Sequence, residues 1–180
     1  ITPVAARIYG LSTADPGPAT TTGGSVIALP DPSGELWMAI DPDLDGPAPQ
    51  GAGWQSLSRE EWDRREIEAG IPEIFEATRE RFVAQMINLD LLGGVSFTKG
   101  CYVGQEIIAR AHHLGRIKRR MGLFRCATSD APPGGAVYAD GRQVGTVVRS
   151  AGDGEQGRLL LAAVPSGAGS CTLGDGGPAL

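Results

Sequence analysis

The sequence predicts an α+β protein. Three observations carry that prediction. The 180 residues include 27 Gly and 13 Pro but only 6% aromatics, a balance that favours strands and turns over long helical bundles. Two short helix patterns stand out, one opening at Ser58 and one over residues 104–114. Beyond residue 116 the texture changes to short apolar runs separated by turn residues, the spacing of a small antiparallel sandwich or barrel. A chain of this length forms one medium domain or two small ones.

In chain order, residues 4–11, 25–30 and 35–40 read as strands. Asp31-Pro32-Ser33-Gly34 joins the last two as turn chemistry: Pro presets φ and Gly accepts positive φ. A loop rich in Pro, Gly and Asp follows. Ser58 and Glu61 have the spacing of a capping box, in which the Ser side chain accepts from the Glu61 backbone and the Glu61 side chain returns the bond. That helix is expected to run to Ala69 and stop at Gly70, with Pro72 beyond. Trp62 and Ala69 share one face, with Arg65 between them.

Residues 75–92 are ambiguous, and propensity allows a helix over 76–82. Gly93-Gly94 breaks the pattern. Val95-Ser96-Phe97 reads as a short strand leading into Thr98-Lys99-Gly100-Cys101-Tyr102, and the second helix follows until Gly115. Residues 119–126 read as a strand, and 136–139 with 143–150 as a hairpin around Asp140-Gly141, a strong short turn signal. The strand 158–164 comes next. The Gly/Pro-rich stretch 174–180 is expected to fray. The boundary between the two parts is expected near Gly115, giving units 1–115 and 116–180.

The longest apolar runs, such as Leu159 to Val164, fall far short of the roughly 20 residues that span a bilayer, and no segment reads as a signal peptide. Neither pattern points to a membrane, and a cytoplasmic location is expected. The start at Ile1-Thr2-Pro3 predicts a fragment of a longer protein. Cys101, Cys126 and Cys171 lie far apart, an odd count that argues against a disulfide scaffold and for a reducing compartment. No C-x-x-C and no zinc-like His–Cys spacing occurs, so no metal site is predicted. The net charge of −5 argues against a general nucleic-acid binder. The stretch from Ile107 to Cys126 nevertheless has no acid and carries Arg110, Arg116, Lys118, Arg119, Arg120 and Arg125. Such a patch fits an anionic ligand or partner, or simply a solvated surface.

The stretch Lys99-Gly100-Cys101-Tyr102-Val103-Gly104-Gln105-Glu106 is the most informative. It reads as a turn with two glycines and a cysteine ahead of a helix N-terminus. The glycines permit positive φ or close approach of a ligand. The unpaired N–H groups of the first helical turn and the neighbouring Lys99 both favour a thiolate over a thiol. Cys101 is therefore the candidate reactive group; a small buried hydrophobe is the alternative. His112 and His113 lie about 15 Å down the helix axis, too far for a Cys–His dyad, and read as surface or packing residues.

The eight residues from Lys99 to Glu106 carry in full the K-G-C-Y-x-G-Q-E signature of the YgfZ family, which is related to the T-protein (aminomethyltransferase) of the glycine cleavage system. The chain resembles that family over roughly residues 54–150. Upstream, Trp62, Ala69-Gly70-Ile71-Pro72, Asn88-Leu89 and Gly93 to Phe97 follow the pattern, as do Ala109-Arg110, Gly115 and Lys118-Arg119 downstream. The family often has Pro where this chain has Ala84, before Gln85. The resemblance implies the C-terminal part of a T-protein-like folate-binding domain, its N-terminal half missing, followed by a small antiparallel β-barrel.

The resemblance also implies a function. Such proteins bind tetrahydrofolate and support synthesis or repair of iron–sulfur proteins, including a radical enzyme that modifies tRNA. It makes Cys101 the acting thiol, with Lys99 beside it. Glu68, Tyr102, Gln105, Glu106 and Arg110 become candidate folate-binding residues. Glu68 matches the position from which T-protein relatives hold the pterin, since a carboxylate accepts two N–H bonds from its 2-amino-4-oxo edge; Arg110 can meet the glutamate tail. The expected partners are folate and iron–sulfur client proteins or their assembly machinery, without direct nucleic-acid contact. Whether such a chain is an enzyme stays open, a thiol-dependent or non-catalytic assembly factor being the first reading. A one-carbon transferase is the second, and family members of that kind generally lack the Cys motif. An RNA-binding module around Lys118-Arg119-Arg120 is the third, and it lacks interleaved aromatics for base stacking.

Overall fold

A computed structural model describes the backbone of residues 6–11, 25–28, 36–40 and 54–56, and residues 58–180 except 114, 116, 129 and 154–156. The turn expected at residues 31–34 and the loop through 53 lie outside the described residues. The chain divides into two compact units, Ile1–Ala69 and Gly70–Leu180. The change of texture at Gly115 therefore falls inside the second unit, which holds the second helix together with the strands.

The first unit contains strands β1 (Ala6–Leu11), β2 (Ser25–Ala28), β3 (Leu36–Ile40) and β4 (Trp54–Ser56), and helix α1 (Arg59–Glu68). The strands form an antiparallel sheet in the order β2-β3-β1-β4. The Ser58 hydroxyl caps α1, accepting from the Glu61 N–H at 3.1 Å. The expected return bond is not made: the Glu61 carboxylate accepts instead from Arg65 at 3.4 Å, one turn along the helix. Ala69 closes the helix, and Gly70 follows with φ +73°. Trp62 and Ile67 are its buried residues.

The second unit begins with two 3-10 turns, Glu76–Thr78 and Ala84–Ile87. The helix that propensity allows over 76–82 does not form. Thr78 is fully buried, and its hydroxyl accepts from the Phe75 N–H at 2.9 Å and donates to the Phe75 carbonyl at 3.2 Å, which competes with helical bonding. Glu80 then takes φ 59° and ends the path. Val95-Ser96-Phe97 is not a strand. Ser96 there accepts from the Lys99 N–H at 3.2 Å, and the Phe97 ring stacks on His112 with centroids 3.9 Å apart. Helix α2 (Gln105–His113) follows.

The rest is an antiparallel sheet of β5 (Arg119–Cys126), β6 (Ala136–Ala139), β7 (Arg142–Gly152), β8 (Arg158–Pro165) and β9 (Thr172–Leu173), in the order β5-β8-β7-β6-β9. Asp140 and Gly141 have φ 51° and 68°, the two positive values of a type I′ turn, so the hairpin sits where the sequence places it. Six consecutive residues of the inner strand β8, Leu159 to Val164, are buried, because a strand covered on both faces needs apolar residues at every position. Gly145 lets β7 approach it: a Cβ there would lie 2.6 Å from the Ala163 carbonyl oxygen.

The expected barrel is not found, because the sheet is open. Among the described residues β5 pairs with β8 alone. Its other neighbour is the second 3-10 turn, from whose end the Asn88 amide donates to the Met121 carbonyl at 2.8 Å. At the far edge β9 offers only two residues, too few to close a sheet. The stretch expected to fray carries backbone bonds of its own. Leu173 N–H donates to the Pro178 carbonyl and Leu180 N–H to the Cys171 carbonyl, both at 2.9 Å. Gly174 and Gly176, with φ +78° and +68°, turn the chain back for those bonds.

Candidate functional site

The signature segment, Lys99 to Glu106, leads into α2. Tyr102 to Gln105 forms a β-turn: the Gln105 N–H donates to the Tyr102 carbonyl at 3.3 Å, and the Gln105 side-chain oxygen accepts from the Tyr102 N–H at 3.2 Å. Gly104 occupies the third position with φ +86°, a conformation open to Gly without a Cβ penalty. The two motif residues Tyr102 and Gln105 thus serve each other, and the motif's glycine makes that possible.

Cys101 lies just before this turn and is exposed, whereas Cys126 and Cys171 are buried. The expectation of a cysteine within a residue or two of the helix start is corrected: a turn intervenes, and α2 begins at Gln105, four residues on. Lys99 is exposed, and its ammonium lies over the Tyr102 ring, 4.6 Å from the centroid, a cation–π contact. Burial pushes the Cys126 thiol up, with Arg158 opposing.

Glu106 and Arg110 pair across one turn of α2 at 3.1 Å, with side chains 83% and 72% exposed. A pair so open to water is weak and free to exchange for a ligand. Both line an open groove of about 490 Å³ together with Ile107, Ala111 and Gly115. Of the folate-binding candidates, Tyr102, Gln105, Glu106 and Arg110 therefore share one helix and the turn before it. Glu68 belongs to the first unit, where it accepts from Arg64 at 3.0 Å.

The residues that hold this segment in place escape pattern reading. Gln85, 1% exposed, sends its side-chain N–H to the Ile108 carbonyl of α2 at 2.7 Å. Its own oxygen, also buried, has no partner among the described residues. Arg120 on β5 grips the same 3-10 turn: it donates to the Gln85 carbonyl at 3.1 Å, to Asn88 at 3.3 Å, and to both carboxylate oxygens of Asp90 at 2.9 and 2.8 Å. The Arg120 hydrogen bonds hold the Asp90 carboxyl below its ordinary value against the opposing effect of burial, and hold Arg120 above its own. The turn Ala84–Ile87 is thus bonded to the helix on one side and to the sheet on the other. Gln85 and Asn88 were visible only as positions shared with the resembled family, and Arg120 only as part of a basic run.

Among the described residues no three His, Cys, Asp or Glu side chains group so as to hold a metal ion, and no helix is long and apolar enough to cross a membrane. No protein-family model matches the chain.

Proposed function

We propose that this chain belongs to a folate-binding accessory factor of the YgfZ type, acting in the cytoplasm in the synthesis or repair of iron–sulfur proteins, with Cys101 as its working thiol. The observation that carries the reading is the intact Lys99-to-Glu106 signature, in which Cys101 is the exposed cysteine. Two features of the site support it. A braced turn presents the thiol to solvent, so that a client protein or a client's iron can reach it. The groove beside α2 sets the Arg110 guanidinium, suited to the carboxylates of a folate tail, next to apolar Ile107 and Ala111. On this reading tetrahydrofolate is the ligand, and the clients include radical enzymes that modify tRNA.

The experiment is complementation of a bacterial strain deleted for its own YgfZ-type protein, using the full gene product and its Cys101→Ser form. Activities of iron–sulfur enzymes are the readout, with tetrahydrofolate binding measured on both proteins. The expected result is rescue by the wild type alone, with folate binding kept in the variant. Rescue by Cys101→Ser, or absence of folate binding in the wild type, overturns the proposal.

A further inference from the structure

We infer that the second unit carries a separate binding site for a small amphipathic anion, at the junction of the 3-10 turn Ala84–Ile87 with the start of β5. An open groove of about 580 Å³ lies there, within the ~300–1,000 Å³ common for small-molecule sites. Its apolar lining comes from Val83, Met86, Ala111, Ile117 and Pro165, of which Ala111 also borders the groove beside Arg110, and two cations, Lys118 and Arg119, stand on it.

Charge complementarity selects the ligand. Among the described residues the lining holds two cations and no acid. Both side chains are exposed, and among the described residues neither has an ion-pair partner. Asp90, the acid held by the neighbouring Arg120, is already engaged in two bonds with it. The stretch 107–126 contains no acid to neutralise them. Cations on an apolar bed match an anion attached to an apolar body: the head pairs with Lys118 and Arg119 while the body covers Met86, Ile117 and Pro165. A bare inorganic anion leaves the apolar bed wet. A nucleic-acid strand needs exposed aromatic platforms for its bases, and the described groove lining has none. The inference does not depend on the folate reading, because the cations and lining residues it uses lie outside the Lys99-to-Glu106 signature.

The test uses 8-anilinonaphthalene-1-sulfonate, a fused aromatic body with one anionic head, titrated into the full chain with methyl-labelled methionine. Met86 lines the groove while Met121 is buried in the sheet, so the two methyls separate local binding from general loosening. The expected result is a saturable shift of the Met86 methyl with Met121 unmoved. The apparent affinity should fall about tenfold or more in Lys118→Gln/Arg119→Gln, as for loss of charge-assisted bonds. The uncharged analogue N-phenyl-1-naphthylamine should bind more weakly by a similar factor. An unmoved Met86 methyl overturns the inference, as does binding that survives the double substitution. Equal binding of the uncharged probe reduces the groove to an apolar surface. An equal response to inorganic phosphate alone, or to a short single-stranded RNA with none to the sulfonate, likewise rejects an amphipathic-anion site.

Discussion

Asp90→Asn is the most direct perturbation of the bracing that holds the signature segment. Asp90 accepts two charge-assisted bonds from Arg120, at 2.9 and 2.8 Å. Its side chain is 11% exposed and that of Arg120 is 30% exposed. An amide offers one oxygen in place of two and turns its NH₂ group toward the guanidinium. Arg120 keeps its bonds to the Gln85 carbonyl and Asn88 and can take up water, so the loss stays below the ~3–5 kcal/mol of a fully buried pair broken on one side. The expected destabilisation of the second unit near neutral pH is about 1.5–3 kcal/mol.

The pH dependence follows from the sign of the shift. The folded-state pKa of Asp90 is below its ordinary 3.8. The stabilisation is therefore present in full above that ordinary value and is lost as pH falls through the lower, folded-state value. The difference between wild type and Asp90→Asn should then be largest near neutrality and shrink as the pH falls below 3.8. Tryptophan fluorescence is the wrong assay, because Trp37, Trp54 and Trp62 all lie in the first unit. Urea titration followed by NMR through the buried methyls of Leu159, Leu160 and Leu161 reports on the second unit directly. Unchanged stability near neutral pH, or a deficit that persists undiminished in acid, would refute the assignment of Asp90 as a paired, ionised anchor.

Cys101 should alkylate faster than Cys126 or Cys171 in the native chain, since it is exposed, the others are buried, and burial raises the Cys126 thiol further; peptide mapping after brief iodoacetamide treatment checks this, and slower labelling of Cys101 counts against its role. Gly145→Ala should cost about 1–3 kcal/mol, because the new methyl would meet the Ala163 carbonyl oxygen at 2.6 Å and Val164 Cγ1 at 2.7 Å; an unchanged urea midpoint for the second unit would show that β7 and β8 can separate without cost. Glu68→Ala should weaken tetrahydrofolate binding more than twofold in the full gene product while changing helix stability by only about 0.3–0.5 kcal/mol. Its ion pair with Arg64 is about a third exposed on both sides. Unaltered affinity removes Glu68 from the folate site.

Much of the local structure was legible because it depends on neighbours a few residues apart. Ser58 caps α1 through a group three positions away. Asp140-Gly141 turns the hairpin by its own two dihedrals. The unbroken apolar run of β8 announces a strand buried on both faces. The signature segment was likewise legible as a turn and helix start, since Tyr102 and Gln105 bond to each other. What lies between the helices was not legible: over 76–82 propensity favours helix, and the Thr78 hydroxyl outcompetes it.

The sequence by itself determined the α+β class, the limits of α2, the hairpin and the position of the one exposed cysteine's turn, all consequences of short-range bonding. Only the tertiary structure decided how that turn is held and how the sheet ends. Gln85 meets Ile108 across 23 residues, Arg120 meets Asp90 across 30, and buried Arg149 reaches the Ile71 carbonyl across 78. The edge of β5 is covered by a 3-10 turn rather than another strand, leaving the sheet open. Such contacts form because packing brings distant polar groups out of water together, where going without a partner is costly, and no local period in the chain records which partner that is.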